Sequence, residues 1–174
     1  MRVKSFSKFK NRNIAKLTSR IPFVAKAIVG GYLPVETTGV PWTPAGKLLA
    51  ESKVGLVTTA GVHHKAQPPF DMTDPDGDPS FRTIDVSHPL SELMITHDYY
   101  DHRDAERDIN IVFPIERLWE LKREGLIGEV SQIQYGFMGH ITGKHIQALI
   151  NDKAPDIAQR MKADRIDIVV LTPG

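Results

Sequence analysis

Short apolar runs, separated by polar turns and amphipathic stretches, recur along most of the chain. Four of them are rich in β-branched residues and short enough to be strands buried on both faces. They are residues 53–60 (KVGLVTTA), 93–96 (LMIT), 131–137 and 166–171 (IDIVVL). Alternation over residues 81–86 and the apolar residues 110–113 predict two more strands. The chain is therefore expected to contain a substantial β-sheet.

Helices are predicted between several of these strands. Pro114 occupies a first-turn position and Gly125 marks the end of a helix that lies between them. Residues 144–162 are predicted to be helical; either Pro155 divides this helix or it starts a second helix after a break at Asn151–Asp152. Residues 44–51 are predicted to form a short helix. Residues 62–79 contain four prolines and predict a long loop. Strands that alternate with helices indicate an α/β fold with a mostly parallel, doubly wound (Rossmann-like) sheet.

Polar segments directly follow several of the predicted strands. They are residues 61–64, 97–102, 139–140 and 172–174. In an open parallel sheet, ligands bind beyond the carboxyl ends of the strands. If these strands are parallel, the four segments share one edge of the sheet, which is then the expected ligand site.

The N-terminal region, residues 1–33, differs in charge from the rest. It carries eight Lys or Arg and no acidic residue, whereas residues 34–174 carry 14 basic and 21 acidic side chains. Apolar residues recur there at helical spacing, at Ile14, Leu17, Ile21, Val24 and Ile28. We interpret it as a basic amphipathic helical arm, separate from an α/β domain of residues 34–174. Docking on an acidic partner or on the domain itself is favoured over disorder, membrane contact or nucleic-acid binding.

Composition narrows the function classes. The chain is 41% hydrophobic and 25% charged, as in soluble globular proteins. No apolar run approaches the roughly 20 residues needed to span a bilayer, and no secretory signal is recognisable, so a cytoplasmic protein is expected. There is no cysteine, which excludes disulfides, thiolate nucleophiles and cysteine-based zinc sites within these 174 residues.

Histidines provide the candidate chemistry instead. His63 and His64 are adjacent, and because neighbouring side chains on an extended chain point oppositely, at most one of them is expected to face any given pocket. His97 or Asp98, in the segment THDYYDH, can serve in acid–base catalysis. With His63 they could also form a two-histidine, one-carboxylate metal site, although the spacing matches no named metal motif. The alternative is a set of loop-bracing histidines and a polar turn.

Two glycine-containing segments can be interpreted less specifically. GFMGH (residues 136–140) predicts a strand-to-helix turn whose backbone N–H groups can bind an anion such as a carboxylate. It is neither a GxGxxG nor a Walker pattern, and tight loop packing is the alternative. DPDGDP (residues 74–79) lacks the spacing of a calcium loop and predicts a turn.

Seven segments, in this order, resemble one family. They are PWTP (41–44), VTTAGVHHKAQPPFDM (57–72), DGDPSFRTID (76–85), LMITHDYYDH (93–102), DINIVFPIERLWEL (108–121), YGFMGHI (135–141) and RIDIVVLTPG (165–174). The chain is similar over residues 41–174 to the selenoprotein B subunits of the glycine, betaine, sarcosine and D-proline reductases. The resemblance is strongest to the short form found in D-proline reductase.

The resemblance implies a reaction and a missing nucleophile. In this family a pyruvoyl group on a partner subunit condenses with the substrate amine, and a selenolate then attacks the α-carbon so that the C–N bond is cleaved reductively. A selenolate is ionised at neutral pH, whereas an ordinary thiol is mostly protonated. The reactive selenocysteine or cysteine follows the LTPG-like strand end. We therefore expect this chain to be truncated just before it, to lack one or more C-terminal strands, and to be inactive alone.

The same resemblance implies site residues and partners. His63 and His97 are the expected catalytic residues; the expected substrate-binding residues are His64, Asp98, Asp101, Gly136, Gly139, His140, Thr172, Pro173 and Gly174. A homo- or hetero-oligomer, a pyruvoyl-bearing partner and a small amino-acid-like substrate are implied, with no metal or cofactor in this chain and no nucleic-acid or membrane partner. Two alternatives stay open: a non-catalytic module that binds a small carboxylate or a partner protein, and a His/Asp metal-dependent enzyme.

Overall fold

A computed structural model describes Gly39 and residues 42–174. The chain divides into two units, Met1–Ala45 with Asp98–Asp101, and Gly46–His97 with His102–Gly174. The helices and strands described below all belong to the second unit. The predicted basic arm, residues 1–33, lies outside the described residues.

The second unit contains seven strands and four α-helices. The strands are β1 (Lys53–Thr58), β2 (Val62–His64), β3 (Arg82–Asp85), β4 (Leu93–Ile95), β5 (Glu129–Val130), β6 (Ile133–Gly136) and β7 (Ile168–Thr172). The helices are α1 (Arg103–Arg107), α2 (Ile115–Arg123), α3 (Ile146–Ala148) and α4 (Ala154–Ala163). Short 3-10 turns occur at Leu49–Glu51, Leu90–Glu92, Ile109–Ile111 and Gly143–His145, and a π-helical stretch, Leu149–Lys153, joins α3 to α4.

The main sheet is built around β1. On one side β1 pairs in parallel with β7 along its length, and on the other it pairs in parallel with β5 and then β6. β3 joins the outer side of β6 in the antiparallel direction. The prediction of an α/β fold with a mostly parallel sheet is confirmed, with an antiparallel strand at one edge. β1 is almost wholly buried, as its near-continuous apolar sequence predicts.

A buried amide side chain of β6 bonds β1 and the residues between β5 and β6. β5 and β6 are separated by Ser131 and Gln132, so the backbone ladder along β1 is interrupted. The side chain of Gln134 supplies hydrogen bonds at this interruption. Its Oε1 accepts from the Leu56 backbone N–H at 2.6 Å, and its Nε2 donates to the Ser131 carbonyl. Backbone groups in this buried region therefore keep hydrogen-bond partners, as burial demands.

A second, two-stranded sheet carries two of the predicted histidines. β2 and β4 pair antiparallel, with Val62 opposite Ile95 and His64 opposite Leu93. The prediction of one long loop over residues 62–79 is therefore wrong at Val62–His64. The predicted strand at 93–96 exists as β4, but it does not belong to the parallel sheet. Three-residue strands carry too little periodic signal for their pairing to be predicted.

Two other elements differ from expectation. Residues 110–113 do not form a strand: Ile109–Ile111 is a 3-10 turn, because the Asp108 carboxylate accepts from the Asn110 N–H at 3.0 Å and caps it. The segment predicted as a divided helix over 144–162 runs from a 3-10 turn through α3 and the π-helical stretch into α4. Pro155 lies in the first turn of α4, where a proline is tolerated, so the alternative that Pro155 starts a helix is confirmed, although the π-helical stretch replaces the predicted break. None of the helices in the described residues is long and apolar enough to cross a membrane.

Candidate functional site

The carboxyl end of β1 lies beside the last residues of the chain. The Thr59 N–H donates to the Thr172 carbonyl at 2.9 Å, which continues the β1–β7 ladder by one step. Gly174 then packs against Ala60, since a Cβ added to Gly174 would lie 2.5 Å from the Ala60 Cα. The predicted proximity of the segments after β1 and β7 is therefore present, and it follows from the parallel register of these strands.

Two threonine hydroxyls hold the carboxyl ends of β1 and β7 together through a shared acceptor. Thr58 and Thr172 occupy paired positions on β1 and β7, and their Oγ1 atoms donate to the same Val112 carbonyl at 2.8 and 2.7 Å. The Thr58 oxygen also accepts from the Ala60 N–H at 3.2 Å. One carbonyl thus ties the ends of both strands to the loop that precedes α2.

Two glycines let the neighbouring loops approach this edge closely. Gly61, at φ 76°, gives its N–H to the Phe137 carbonyl at 2.8 Å and accepts from the Thr96 N–H at 2.9 Å. Gly139, at φ 88°, packs on the Thr59 carbonyl. A side chain at either position would be strained by the backbone conformation and would collide with a carbonyl oxygen.

His97 lies in this cluster of loops. It follows Thr96, which is hydrogen-bonded to Gly61, and its Nε2 lies 3.4 Å from the position that a Cβ on Gly139 would take. Its side chain is 6% exposed. His97 therefore reaches the edge through the antiparallel β2–β4 pair, and not, as the sequence suggested, from the end of a parallel strand.

Burial makes His97 a neutral imidazole near pH 7. Desolvation, helped by the nearby rings of His102 and His140, lowers the pKa of His97 to about 4, against the opposing effect of a hydrogen bond with the Met138 backbone. A histidine with this pKa donates hydrogen bonds from an N–H but holds no extra proton at neutral pH.

His63 is held inside the protein. It is fully buried, with Nδ1 donating to the His64 carbonyl and Nε2 bonded to Thr96 Oγ1, both at 2.8 Å. Its ring meets Phe70 edge-on at 5.7 Å, and burial lowers its pKa. Both ring nitrogens are engaged, so His63 braces β2 against β4. His64 points elsewhere, towards the ring of His88 at 5.6 Å.

The remaining predicted residues divide between the edge and other places. Gly136 lies within β6, where it allows the Val62 carbonyl to pack closely against the strand. Asp98 and Asp101 belong to the first unit. Among the described residues, no group of three or more His, Cys, Asp or Glu side chains is arranged to hold a metal ion.

The turn at residues 74–78 is part of the site's framework, which the sequence did not indicate. His140 Nε2 bonds the Pro75 carbonyl at 3.0 Å, and the Thr142 N–H donates to the Asp76 carbonyl at 2.9 Å. Asp74 pairs with Lys144 at 2.7 Å, and these partners keep the pKa of its carboxyl far below the usual range. The opposite charges of Asp74 and Lys144 were visible in the sequence, but nothing local pairs residues so far apart.

The described geometry defines an α/β domain whose parallel strands end at a glycine-lined edge with a buried neutral histidine. Residues 10–174 match a sequence model of the family described as Glycine/sarcosine/betaine reductase selenoprotein B (GRDB). The chain belongs to this family, so the family resemblance seen in the sequence is confirmed.

Individual relatives agree with this membership. The D-proline reductase subunit gamma of Acetoanaerobium sticklandii is 38% identical over 143 residues, which are 82% of this chain and 57% of that protein. The glycine reductase complex component B subunit gamma of Symbiobacterium thermophilum is 30% identical over 135 residues, 76% of this chain and 31% of that protein. A sarcosine reductase complex component B subunit beta of Peptoclostridium acidaminophilum is 29% identical over 96 residues. These relatives are subunits of reductases, and the chain spans only part of their length. No solved structure matches the chain.

Proposed function

We propose that this chain frames the substrate site of a reductase that cleaves a C–N bond of an amino acid or a derivative, of the glycine, sarcosine, betaine or D-proline type. The observation that carries the proposal is the packing of Gly174 on Ala60, beside Gly139 and His97. In the family that the sequence resembles, the reactive residue follows the strand that corresponds to β7. An attacking atom attached there would stand over this edge of the sheet.

The attacking atom must come from outside these 174 residues, which include no cysteine. For the expected chemistry, a pyruvoyl group on a partner subunit would activate the substrate amine and a selenolate or thiolate would attack the α-carbon. The glycines at positions 61, 139 and 174 suit such a site, because each lets two backbone segments pack closely where a Cβ would collide with a neighbouring residue. The small substrate expected here needs that close approach of backbone.

His97 is the residue of this chain that we assign to substrate orientation. Its ring lies at this end of the sheet beside Gly139, and its low pKa argues against the role of proton donor at neutral pH. His63, with both nitrogens bonded inside the protein, supports the loop that carries Gly61. Of the two histidines that the sequence predicts to be catalytic, this proposal therefore keeps His97 in the substrate site and gives His63 a structural role.

We infer that the sheet is part of a larger doubly wound sheet, because β7 has the apolar sequence of an interior strand. The partner subunit, an oligomeric assembly and a cytoplasmic location are likewise proposed from the class of the relatives. The relatives named above are complex components, which supports a hetero-oligomer.

The test joins this chain to the part of the A. sticklandii gamma subunit that lies outside the matched 57%. The fusion is assayed with the partner subunits of D-proline reductase for reductive cleavage of D-proline, glycine, sarcosine and betaine. We expect turnover of one of them, reduced at least about tenfold by His97→Gln. His88→Gln, at an exposed side chain, is the matched control. A folded fusion that assembles with the partners but cleaves none of the four substrates would contradict the proposal.

A further inference from the structure

β7 is an outermost strand of the main sheet, yet its sequence is typical of an interior strand. Its sequence, IVVLT, is apolar on both faces, and it pairs with β1 on one side only among the described residues. Val169 is 39% exposed and Leu171 is 74% exposed. Long apolar edges are a liability that natural proteins cover. A cover for β7 is therefore expected.

The uncovered side chains line an apolar groove. The groove is lined by Val57 of β1, by Val169 and Leu171 of β7, and by Ala158 and Met161 of α4. The groove has a volume of about 360 Å³, and apart from Thr59 its lining residues are apolar or glycine. Ala154 and Ala158 are small and lie one turn apart on α4, which leaves room for a backbone to approach.

The topology specifies what fits beside α4. The strands lie in the order β6, β1, β7, and α4 connects β6 to β7 across one face of the sheet. Gly55 marks this face, since a Cβ there would lie 2.9 Å from the side chain of Ile166 and 3.6 Å from that of Met161. Crossovers between parallel strands are right-handed in nearly all proteins. A crossover from β7 to a parallel strand on its free side advances in the same direction, so its helix must lie on the same face as α4, in the groove.

We propose that the groove between α4 and β7 is the docking site of an amphipathic helix, which links β7 to a further parallel strand in the longer reductase subunits. The relatives have the length for it, because the matched region is 57% of the D-proline reductase gamma subunit and 31% of the glycine reductase gamma subunit. The occupant presents a stripe of apolar side chains to Val169 and Leu171 and a polar face to solvent. The docking site follows from the family membership of the chain and from the right-handed crossover. It does not depend on a catalytic role of this chain.

The probe is the fragment of the A. sticklandii gamma subunit outside the matched region, added in trans to the 174-residue chain. Binding is measured by calorimetry, and the contact is mapped by hydrogen exchange of the chain with and without the fragment. We expect slower exchange over Ala154–Ala163 and Ile168–Thr172 on binding. Leu171→Asp and Ala158→Glu should each weaken binding at least about tenfold, since a charge replaces apolar contact.

Leu126→Asp is the matched control, because Leu126 is also an exposed apolar residue, at 51%, and lies outside the groove. It should change binding less than about twofold. Circular dichroism verifies that each variant is folded. The proposal is overturned if the folded chain does not bind the fragment, or if binding is indifferent to Leu171→Asp. It is also overturned if the chain alone forms a dimer that Leu171→Asp abolishes, since the groove then belongs to a second copy. No outcome depends on turnover, so this test is separate from that of the proposed function.

Discussion

Gly139 lies directly against His97, with the histidine Nε2 3.4 Å from the place where a Cβ on the glycine would stand. The same Cβ would collide with the Thr59 carbonyl at the end of β1. The absence of one methyl group therefore lets the turn after β6, the end of β1 and the histidine after β4 meet. This contact brings together elements of both sheets at the proposed site.

The first prediction concerns this contact. Gly139→Ala should lower the free energy of unfolding by at least about 2 kcal/mol, because it combines a left-handed backbone, at φ 88°, with a collision against a carbonyl. Gly125→Ala is the matched control: its φ is 72°, but nothing lies within 4 Å of the added Cβ. It should cost only about 1 kcal/mol, from the backbone conformation alone. Equal losses in urea unfolding of the two variants would mean that the packing at Gly139 is unimportant.

The strands that the sequence predicted well are those whose environment is uniform. β1 and β7 are continuous β-branched runs, and such runs are typical of strands in a parallel sheet whatever their partners are. The apolar run at residues 110–113 was misinterpreted because its backbone is set by the Asp108 cap of the 3-10 turn and not by apolar character. Local capping chemistry overrode a weak periodic signal there.

The site was predictable only where it follows from parallel pairing. The neighbourhood of Ala60 and Gly174 follows from β1 and β7 as parallel strands. The position of His97 depends on the antiparallel β2–β4 pair, and three-residue strands do not reveal their partners in sequence. The burial of both ring nitrogens of His63 is a tertiary property too. Adjacent histidines in a sequence do not show which of them is already satisfied.

The second prediction is a loss of stability in mild acid. Unfolded His97 binds a proton below pH 6.5, its ordinary pKa, whereas folded His97 does so only near its pKa of about 4. Between these two pH values the unfolded state binds more protons than the folded state. The contribution of His97 to stability is therefore complete above pH 6.5 and is lost as the pH falls to about 4. The loss can reach about 3 kcal/mol. His63, whose pKa is also lowered by burial, acts in the same direction.

Comparison of wild type with His97→Gln isolates this effect. The variant should show a flatter dependence of unfolding free energy on pH between 6.5 and 4, because glutamine does not titrate. An NMR titration of the His97 ring in the wild type measures its pKa directly. The neighbouring rings of His102 and His140 oppose the protonation of His97. A midpoint near 6.5 for His97 in the folded protein would refute the explanation.

The third prediction concerns the carbonyl of Val112, which both Thr58 and Thr172 donate to. Thr58→Val should cost about 1–3 kcal/mol, because Thr58 is fully buried and its oxygen also accepts from the Ala60 N–H. Thr172→Val should cost less, about 1 kcal/mol, since Thr172 is only partly buried. In a double-mutant cycle the double variant should lose more than the sum, because each single variant leaves the carbonyl one donor.

Thr73→Val is the control for loss of a threonine hydrogen bond, since its hydroxyl donates to Asp71 at 2.6 Å on the exposed surface. It should change stability by less than about 0.5 kcal/mol. Strict additivity of Thr58→Val and Thr172→Val would indicate that the two hydroxyls do not share an acceptor in solution.

The last prediction concerns Gln134, a side chain of β6 that bonds β1 and the residues between β5 and β6. Its carbonyl oxygen holds the Leu56 N–H at 2.6 Å and its amide holds the Ser131 carbonyl, and it is fully buried. Gln134→Leu is nearly the same size and more apolar, so a simple burial argument expects little change or a gain. We expect instead a loss of about 3 kcal/mol, because two backbone groups lose their partners with no water to replace them. Gln132→Leu, at an exposed amide that bonds Asp85 at 3.1 Å, should be nearly neutral in the same urea titration. If Gln134→Leu is as stable as wild type, the interrupted ladder along β1 does not need its side-chain bridge.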